Sequence, residues 1–264
     1  MASVEQSSFR QSFAIQSRVV HALLMRELIT RFGRENLGVL WLVAEPMMFT
    51  LGVVVLWSLG GLHGGSHLPI VAFAVTGYST ILLWRNTTGR CVSAVAENKM
   101  LLFHRNVRVI DVFIARVALE IGGATCSFMV LAALFLYAGW MAPPEDLLKV
   151  IGGWLLLAWF SAALGTAIGS ASVFSELVHR IWHPVSYFML PVSGALVMVE
   201  WAPPAVRKYI LLFPMVHGTE LLREGWFGGA VTAHYDITYM VAFCLLLSLM
   251  ALGLQFRATR KLEI

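Results

Sequence analysis

The feature that most constrains the fold is one long stretch of the chain without any charged residue. From Val150 to Phe174 the sequence contains no Asp, Glu, Lys or Arg, and a membrane-spanning helix needs about 20 mostly apolar residues. The composition agrees, because 58% of the residues are hydrophobic and only 13% are charged, whereas soluble domains carry about 25% charged residues. The sequence therefore indicates a membrane protein and excludes a soluble globular enzyme and a disordered chain.

Six apolar stretches follow one another along the chain. Its 264 residues leave no room for a second large soluble domain. We predict an all-α membrane protein in which a six-helix domain over residues 37–256 lies between a cytoplasmic segment, residues 1–36, and a cytoplasmic tail, residues 257–264. The predicted spans are Val39–Leu59, Pro69–Trp84 with a continuation towards Ala96, Ile121–Ala142 with a start as early as Val112, Val150–Phe174, Ile181–Val199 and Ile237–Phe256.

The N-terminal segment is polar and has no apolar core of the kind found in signal peptides. Its apolar residues recur at helical spacing with arginines between them, at Phe9, Phe13, Val20, Leu24 and Leu28. This pattern predicts an amphipathic helix in the bilayer interface, with arginines near anionic headgroups. A cytoplasmic helix packed on a partner gives the same pattern.

The distribution of Lys and Arg predicts the orientation. If both termini are cytoplasmic, 15 of the 19 Lys and Arg residues lie inside. Only Lys149, Arg207, Lys208 and Arg223 then lie outside. We therefore predict a multi-pass protein with both termini in the cytoplasm.

The segment between the last two predicted spans, Trp201–Tyr235, is not polar enough for a solvated loop. It contains two apolar runs that are too short to cross a bilayer, Tyr209–Val216 and Gly225–Val231. Such a segment, residues 201–235, is either a re-entrant hairpin or a pair of flat helices on the outer surface. Its candidate functional residues are His217, Glu220 and Arg223.

The chain lacks the sequence patterns of an enzyme or an ion-coupled transporter. It has no Gly-Lys pair and hence no phosphate-binding P-loop, and it has no HExxH motif. Its three cysteines have no metal-ligand spacing. Because the last three predicted spans carry no charge, an ion pathway is not indicated either. We expect no catalytic residue, no metal and no cofactor on this chain, so uphill transport would need a partner that supplies the energy.

A basic stretch on the inner side, Ala96–Arg116, is the candidate docking surface for that partner. Apolar residues at Met100, Phe103, Val107 and Ile110 fall on one helical face. A solvated loop that follows the positive-inside rule is the alternative. We assign the coupling segment to residues 96–110, with candidate contacts at Glu97, Lys99, Phe103, His104 and Arg105.

Four arginines at the inner ends of the first two spans are candidates for the binding of an acidic substrate. The planar guanidinium group bonds two oxygens of a phosphate or carboxylate at once. The alternative is that Arg31, Arg34, Arg85 and Arg90 only satisfy the positive-inside rule. Aromatic rings that either stack on sugars or pack as interface anchors are Trp41, Tyr78, Trp84, Trp182 and Tyr187.

Three motifs in order carry a resemblance to a known family. Arg31–Trp41 followed by Glu45-Pro46 resembles the start of the first span in ABC-2 type export permeases. The second motif is Ala96–Arg116, preceded by Gly89-Arg90, and the third is Phe213–Glu224. With these three motifs the chain is similar to the permease subunit of Kps-type capsular polysaccharide exporters from about Leu24 to Arg257. It departs from them at Phe213-Pro214, where related permeases commonly have Asn-Pro.

The resemblance implies a homodimer that pairs with two ABC ATPase subunits, which bind ATP and Mg. It implies a lipid-linked acidic polysaccharide as substrate, a bacterial inner-membrane location, a periplasmic adaptor, an outer-membrane channel and no nucleic acid. The docking stretch would then hold the coupling helix, and residues 201–235 would be re-entrant helices. The alternatives are an exporter of O-antigen, teichoic acid or another lipid-linked glycan, a membrane-embedded enzyme, and a channel or ion-coupled transporter.

Overall fold

The computed structural model describes residues 9–32, 38–60, 68–103 and 107–262. This part of the chain is helical and contains no strand, which confirms the predicted all-α class. Three short 3-10 helices occur at Lys99–Phe103, Val199–Trp201 and Gly228–Ala230. The α-helices are α1 Phe9–Phe32, α2 Gly38–Gly60, α3 Ile70–Glu97, α4 Val109–Tyr137, α5 Leu147–Ser172, α6 Glu176–Phe188, α7 Pro204–Ile210, α8 Pro214–Phe227 and α9 Ile237–Leu262.

Helix α5 lies at the centre and packs against α3, α8 and α9. Its Trp154 ring stacks on Phe128 of α4 with 4.7 Å between the ring centroids, a geometry that stabilises aromatic pairs. Gly169 lets α5 approach α3 closely, because a Cβ atom there would lie 2.5 Å from the Cys91 carbonyl oxygen. Small residues thus bring these two helices together, as is common between helices in membranes.

Three helices among the described residues are long and apolar enough to cross a membrane. They are α4, α5 and α9, which correspond to the third, fourth and sixth predicted spans. Helix α4 begins at Val109, before the earliest predicted start at Val112. Helices α2 and α3 match the bounds of the first two predicted stretches, but their crossing of the membrane stays a prediction.

The fifth apolar stretch, Ile181–Val199, differs from a single spanning helix. Helix α6 ends at Phe188, and turns and bends follow as far as Val197. Its 13 residues extend about 20 Å at about 1.5 Å per residue, less than the about 30 Å of a bilayer core. Pro191 lies just beyond the helix, where a ring without an N–H cannot continue it.

The basic stretch Ala96–Arg116 is not one amphipathic helix, in contrast to the prediction from its apolar spacing. It comprises the end of α3, the 3-10 helix Lys99–Phe103 and the beginning of α4. Met100 is 78% exposed, whereas Val107 and Ile110 are half-buried. The periodicity failed because neighbouring residues of this stretch pack on α1 and α4 and not on a single helix of their own.

Helix α1 confirms a helix in the N-terminal segment, and part of its apolar surface packs on the protein itself. Leu23 is buried, and Val20 and Leu24 are half-buried against a cluster that includes Val112 and Phe113 of α4. The other side of the helix leaves Phe13 67% exposed. Its position in the bilayer interface stays a prediction.

Candidate functional site

A groove between α3 and α6, near one end of the bundle, is lined mainly by polar side chains. It has a volume of about 270 Å³ and lies in the C-terminal half of α3, towards the 3-10 helix Lys99–Phe103. Ser175 caps the N-terminus of α6 by accepting a hydrogen bond from the Leu177 N–H at 3.2 Å, which fixes where this wall begins. The groove is lined by Arg85, Asn86, Gly89, Arg90 and Ser93 of α3 and by Trp182, His183 and Ser186 of α6.

Arg85 is the half-buried cation of the groove. Its guanidinium carbon lies 4.0 Å from the centroid of the Tyr187 ring, a stabilising contact between a cation and a π face. Its Nε lies 3.5 Å from Ser186 Oγ. Among the described residues no carboxylate forms an ion pair with Arg85, so its charge faces the groove.

Arg90 is the second cation, and it is partly neutralised. Its Nε lies 4.0 Å from Glu120 Oε1 of α4, and its side chain is 47% exposed. A contact of this length, in which the Arg90 side chain is half-exposed to solvent, contributes little to stability. The Arg90 guanidinium adds positive charge to the groove that it lines.

Trp182 provides a donor inside the groove wall. Its side chain is only 5% exposed, and its Nε1 has no hydrogen-bond partner among the described residues. Buried N–H groups are nearly always paired in folded proteins. An unpaired indole N–H that lines a cationic groove indicates a place for an acceptor.

The structure brings together only part of the predicted substrate path. Arg85, Arg90 and Tyr187 meet at the groove, whereas Trp84 is buried in the apolar core. Tyr78 is half-buried, two helical turns before Arg85 on α3. Arg34 and the side chains of Arg31 and Trp41 lie outside the described residues.

The sequence predictions did not select Asn86, Ser93 or Ser186 as site residues. The available signal was the recurrence of polar residues at intervals of three to four along α3 and α6, which places them on one face of each helix. Such residues are common in helices, so spacing alone did not show that the two faces meet.

Beside the groove, a second polar cluster joins the predicted coupling segment to two helices. Arg116 of α4 is almost fully buried and forms ion pairs with Glu97 at 2.7 Å and Glu27 of α1 at 2.9 Å. Arg26 of α1 donates to Asn98 Oδ1 at 2.7 Å. Of the predicted contacts, Glu97 is engaged within the chain and Lys99 is exposed, while the Phe103 side chain, His104 and Arg105 lie outside the described residues.

The third group of predicted residues lies on α8, which is buried against α5. His217 Nδ1 accepts from the Asp236 N–H at 2.8 Å, so its Nε2 carries the proton that is donated to the Leu211 carbonyl at 2.9 Å. Glu220 accepts from the Val199 and His234 N–H groups at 3.2 and 3.0 Å.

Arg223 is fully buried on the same helix. It donates to the carbonyl oxygens of Gly194 and Ala195, and its guanidinium carbon lies 3.7 Å from the centroid of the Phe73 ring. These contacts hold the irregular segment after α6 against α3 and α8. Arg223 thus contributes to the packing of this region.

A polar contact ties the 3-10 helix Val199–Trp201 to α7 and to His234. Glu200 forms an ion pair with Arg207 of α7 at 2.9 Å and a hydrogen bond with His234. The hydrogen bond with His234 first, and then the Arg207 charge, lower the pKa of Glu200 below its ordinary value against the opposing effect of burial.

The helical bundle, with three helices among its described residues that are long and apolar enough to cross a membrane, defines an integral membrane protein. The chain matches the family described as ABC-2 type transporter over residues 18–227, so it belongs to that family. This confirms the predicted resemblance.

Three relatives align with nearly the whole chain. The capsule polysaccharide export inner-membrane protein CtrC of Neisseria meningitidis serogroup B is 42% identical over 263 residues, 100% of this chain and 99% of that protein. The capsule polysaccharide export inner-membrane protein BexB of Haemophilus influenzae is 40% identical over 248 residues, 94% of each chain. The polysialic acid transport protein KpsM of Escherichia coli is 28% identical, covering 93% of this chain and 95% of its own.

Proposed function

We propose that this chain is the permease subunit of an ATP-driven exporter that carries capsular polysaccharide across the inner membrane. The observation that carries the proposal is the similarity to CtrC, a capsule polysaccharide export inner-membrane protein, along all of this chain. Similarity of this extent, with no large segment left over, favours a shared activity and not merely a shared fold.

The groove between α3 and α6 supports this function chemically. An acidic glycan or its lipid carrier loses hydration when it moves from water towards a bilayer, and this loss is costly for an anion. Cations placed beside the path lower that cost. Arg85 and Arg90 are such cations, and they lie on the half of α3 that leads to the predicted coupling segment.

The topology in this proposal has six crossings and both termini in the cytoplasm, and the fifth crossing would combine α6 with the irregular segment that follows it. Fifteen of the 19 Lys and Arg residues then lie inside. A re-entrant position for residues 201–235 is supported by the burial of α8, since nearly all of its residues are covered by protein. Irregular and short helical segments are tolerated at membrane depth where protein surrounds them.

The energy would come from a separate subunit. The proposed assembly holds two copies of this chain and two ATP-binding subunits, which bind ATP and Mg, with a periplasmic adaptor and an outer-membrane channel beyond. The exposed Met100 and Lys99 of the 3-10 helix Lys99–Phe103 are available for contact with the ATP-binding subunit. Glu97, the last residue of α3, holds the start of this segment on α4 through its ion pair with Arg116.

Deletion of the gene in its own host tests the proposal. We expect capsular polysaccharide to accumulate in the cytoplasm and to disappear from the surface, with export restored by the wild-type chain supplied from a plasmid. Surface capsule and the O-antigen or other lipid-linked glycan are measured in the same cells. Normal surface capsule with loss of another glycan would replace the proposed substrate by that glycan.

A further inference from the structure

The α3–α6 groove presents cations and an unpaired buried donor to one small space. Arg85 and Arg90 supply positive charge, and the Trp182 N–H has no acceptor among the described residues. A buried donor without an acceptor is unfavourable, and a bound ligand removes this penalty. We propose that this groove is a binding site for a phosphate group, held by Arg85, Arg90 and Trp182 Nε1.

The lining of the groove suits a phosphate better than a neutral ligand. No carboxylate is among the residues that line the described groove, and Glu120 lies beyond it, 4.0 Å from Arg90 Nε. Donors come from both walls, with the arginines on α3 and the indole N–H on α6. A tetrahedral phosphate has several acceptor oxygens that point in different directions, so it can accept from both helices at once.

The size and the aromatic rings argue against a site for a sugar chain. The volume of about 270 Å³ is slightly below the range of about 300–1,000 Å³ for small-molecule pockets, so the groove suits one headgroup. The Trp182 ring is buried, and the Arg85 guanidinium covers one face of the Tyr187 ring. The Tyr187 ring is 58% exposed, so the site offers one open aromatic face and not a row of rings along a polysaccharide.

The phosphate has two possible sources, a lipid headgroup and free phosphate in solution. The inference rests on the proposed function only in expecting the lipid source, because a lipid-linked glycan would bring its phosphate to a groove in a membrane domain. Binding itself depends on the groove alone. Its measurement does not require transport, the ATP-binding subunit or a known glycan.

Gly89 offers a substitution that tests the site without removing a charge. A Cβ atom at this position would lie 3.8 Å from Trp182 Nε1 and 3.9 Å from His183 Cε1, which are ordinary contact distances. Gly89→Ala is therefore expected to fold and to place a methyl group beside the indole N–H. The matched control is Gly122→Ala on α4, where a Cβ atom has no neighbour within 4 Å.

The experiment uses the full chain in detergent micelles with ¹⁵N-labelled Trp. The probes are inorganic phosphate, dihexanoyl phosphatidylglycerol, dihexanoyl phosphatidylcholine and a uronic acid hexasaccharide that carries no lipid and no phosphate. We expect phosphatidylglycerol to shift the Trp182 indole signal with saturation and phosphate to do so more weakly. Phosphatidylcholine, whose phosphate charge is offset by its own choline cation, should shift it less than phosphatidylglycerol does, and the hexasaccharide should leave it unchanged. Trp182→Phe assigns the signal, and Trp159→Phe is its control because Trp159 Nε1 already donates to Ser248 Oγ at 3.0 Å.

The variants decide whether the groove is responsible. Gly89→Ala and Arg85→Gln are expected to weaken binding about tenfold, as the loss of one charge-assisted hydrogen bond predicts, while Gly122→Ala binds as the wild type does. The proposal is overturned if no phosphate probe shifts the signal, if phosphatidylcholine shifts it equally, or if only the hexasaccharide does. Saturation by inorganic phosphate alone would assign the site to free phosphate. A failure to bind phosphate would contradict this site but not the proposed export of capsule, which the gene deletion tests separately.

Discussion

At the scale of single residues, Gly169 determines how closely α5 approaches α3. A Cβ atom at Gly169 would lie 2.5 Å from the Cys91 carbonyl oxygen and 2.6 Å from the Phe113 ring, and neither the backbone nor the buried ring can easily move. Gly169→Ala is therefore expected to lower the stability by about 1–3 kcal/mol, the usual cost of overpacking. The thermal unfolding midpoint of the solubilised chain measures the loss.

Gly253→Ala on α9 is the matched control for this substitution. No atom lies within 4 Å of a Cβ atom built there, and alanine is the better helix former. Its unfolding midpoint should equal or exceed that of the wild type. Equal midpoints for the Gly169 and Gly253 variants would contradict the close packing of α3 and α5.

Glu200 provides a second residue-scale prediction, which concerns pH. Its pKa is lowered in the folded protein, chiefly by the hydrogen bond with His234. A lowered pKa contributes stability above the ordinary Glu value of about 4.3, and this contribution is lost as the pH falls through the folded pKa. Between pH 5 and pH 3 the unfolding midpoint should therefore fall more for the wild type than for Glu200→Gln. Parallel curves for the two proteins would argue against the contact.

At the scale of helices, periodicity and length located most elements but not their partners. The uncharged stretch Val150–Phe174 predicted α5 closely, because a single apolar segment of this length satisfies its backbone hydrogen bonds in a bilayer by forming a helix. The stretch Ala96–Arg116 was misjudged because its apolar residues pack on α1 and α4, and local spacing carries no information about distant helices. Pro191 marked the break after α6, but a proline in an apolar stretch predicts a kink as readily as an end.

The candidate site was predictable only in part for the same reason. Charge and topology selected Arg85 and Arg90, because cations cluster at the inner ends of spans. That Trp182 lies across from them depends on how α6 packs on α3. Its unpaired N–H is visible only after the helices are placed.

Arg116 supplies the prediction at the scale of elements, because it joins α1, α3 and α4. Arg116→Gln removes a charged partner from Glu97 and from Glu27, whose side chain is largely buried. Removing one member of a buried pair is strongly destabilising, by about 3–5 kcal/mol at full burial and less here because Glu97 is half-exposed. We expect faster hydrogen exchange in α1 and at the end of α3, measured by mass spectrometry.

The control for the Arg116 variant is Arg180→Gln. Arg180 forms an ion pair with Glu176 at 3.3 Å in which both side chains are largely exposed, and such pairs contribute about 0–1 kcal/mol. Exchange in α1 should be unchanged in this variant. Unchanged exchange in the Arg116 variant as well would show that apolar contacts alone hold α1 on α4.

At the scale of the whole molecule, the proposed topology predicts the side on which each loop lies. Reporter fusions at Glu145 and Lys208 should be active outside, and fusions at Lys99 and Lys261 should be active inside. The physical reason is the unequal partition of Lys and Arg. A cytoplasmic result at Lys208 would contradict both the six spans and the re-entrant position of residues 201–235.

The last whole-molecule prediction concerns the contact with the ATP-binding subunit. Met100 of the 3-10 helix Lys99–Phe103 is 78% exposed, and Leu148, near the N-terminus of α5, is 79% exposed at the other end of α4. Exposed apolar side chains gain free energy when a partner covers them, about 1.5–3 kcal/mol for a full side chain. If the ATP-binding subunit docks at the coupling segment, Met100→Gln should therefore weaken the complex by about tenfold and Leu148→Gln should not.

Co-purified ATP-binding subunit and ATPase activity per permease are measured for both variants in the same membranes. Equal retention in the two variants would place the docking surface elsewhere, and ATPase activity from the permease purified alone would contradict a borrowed energy source.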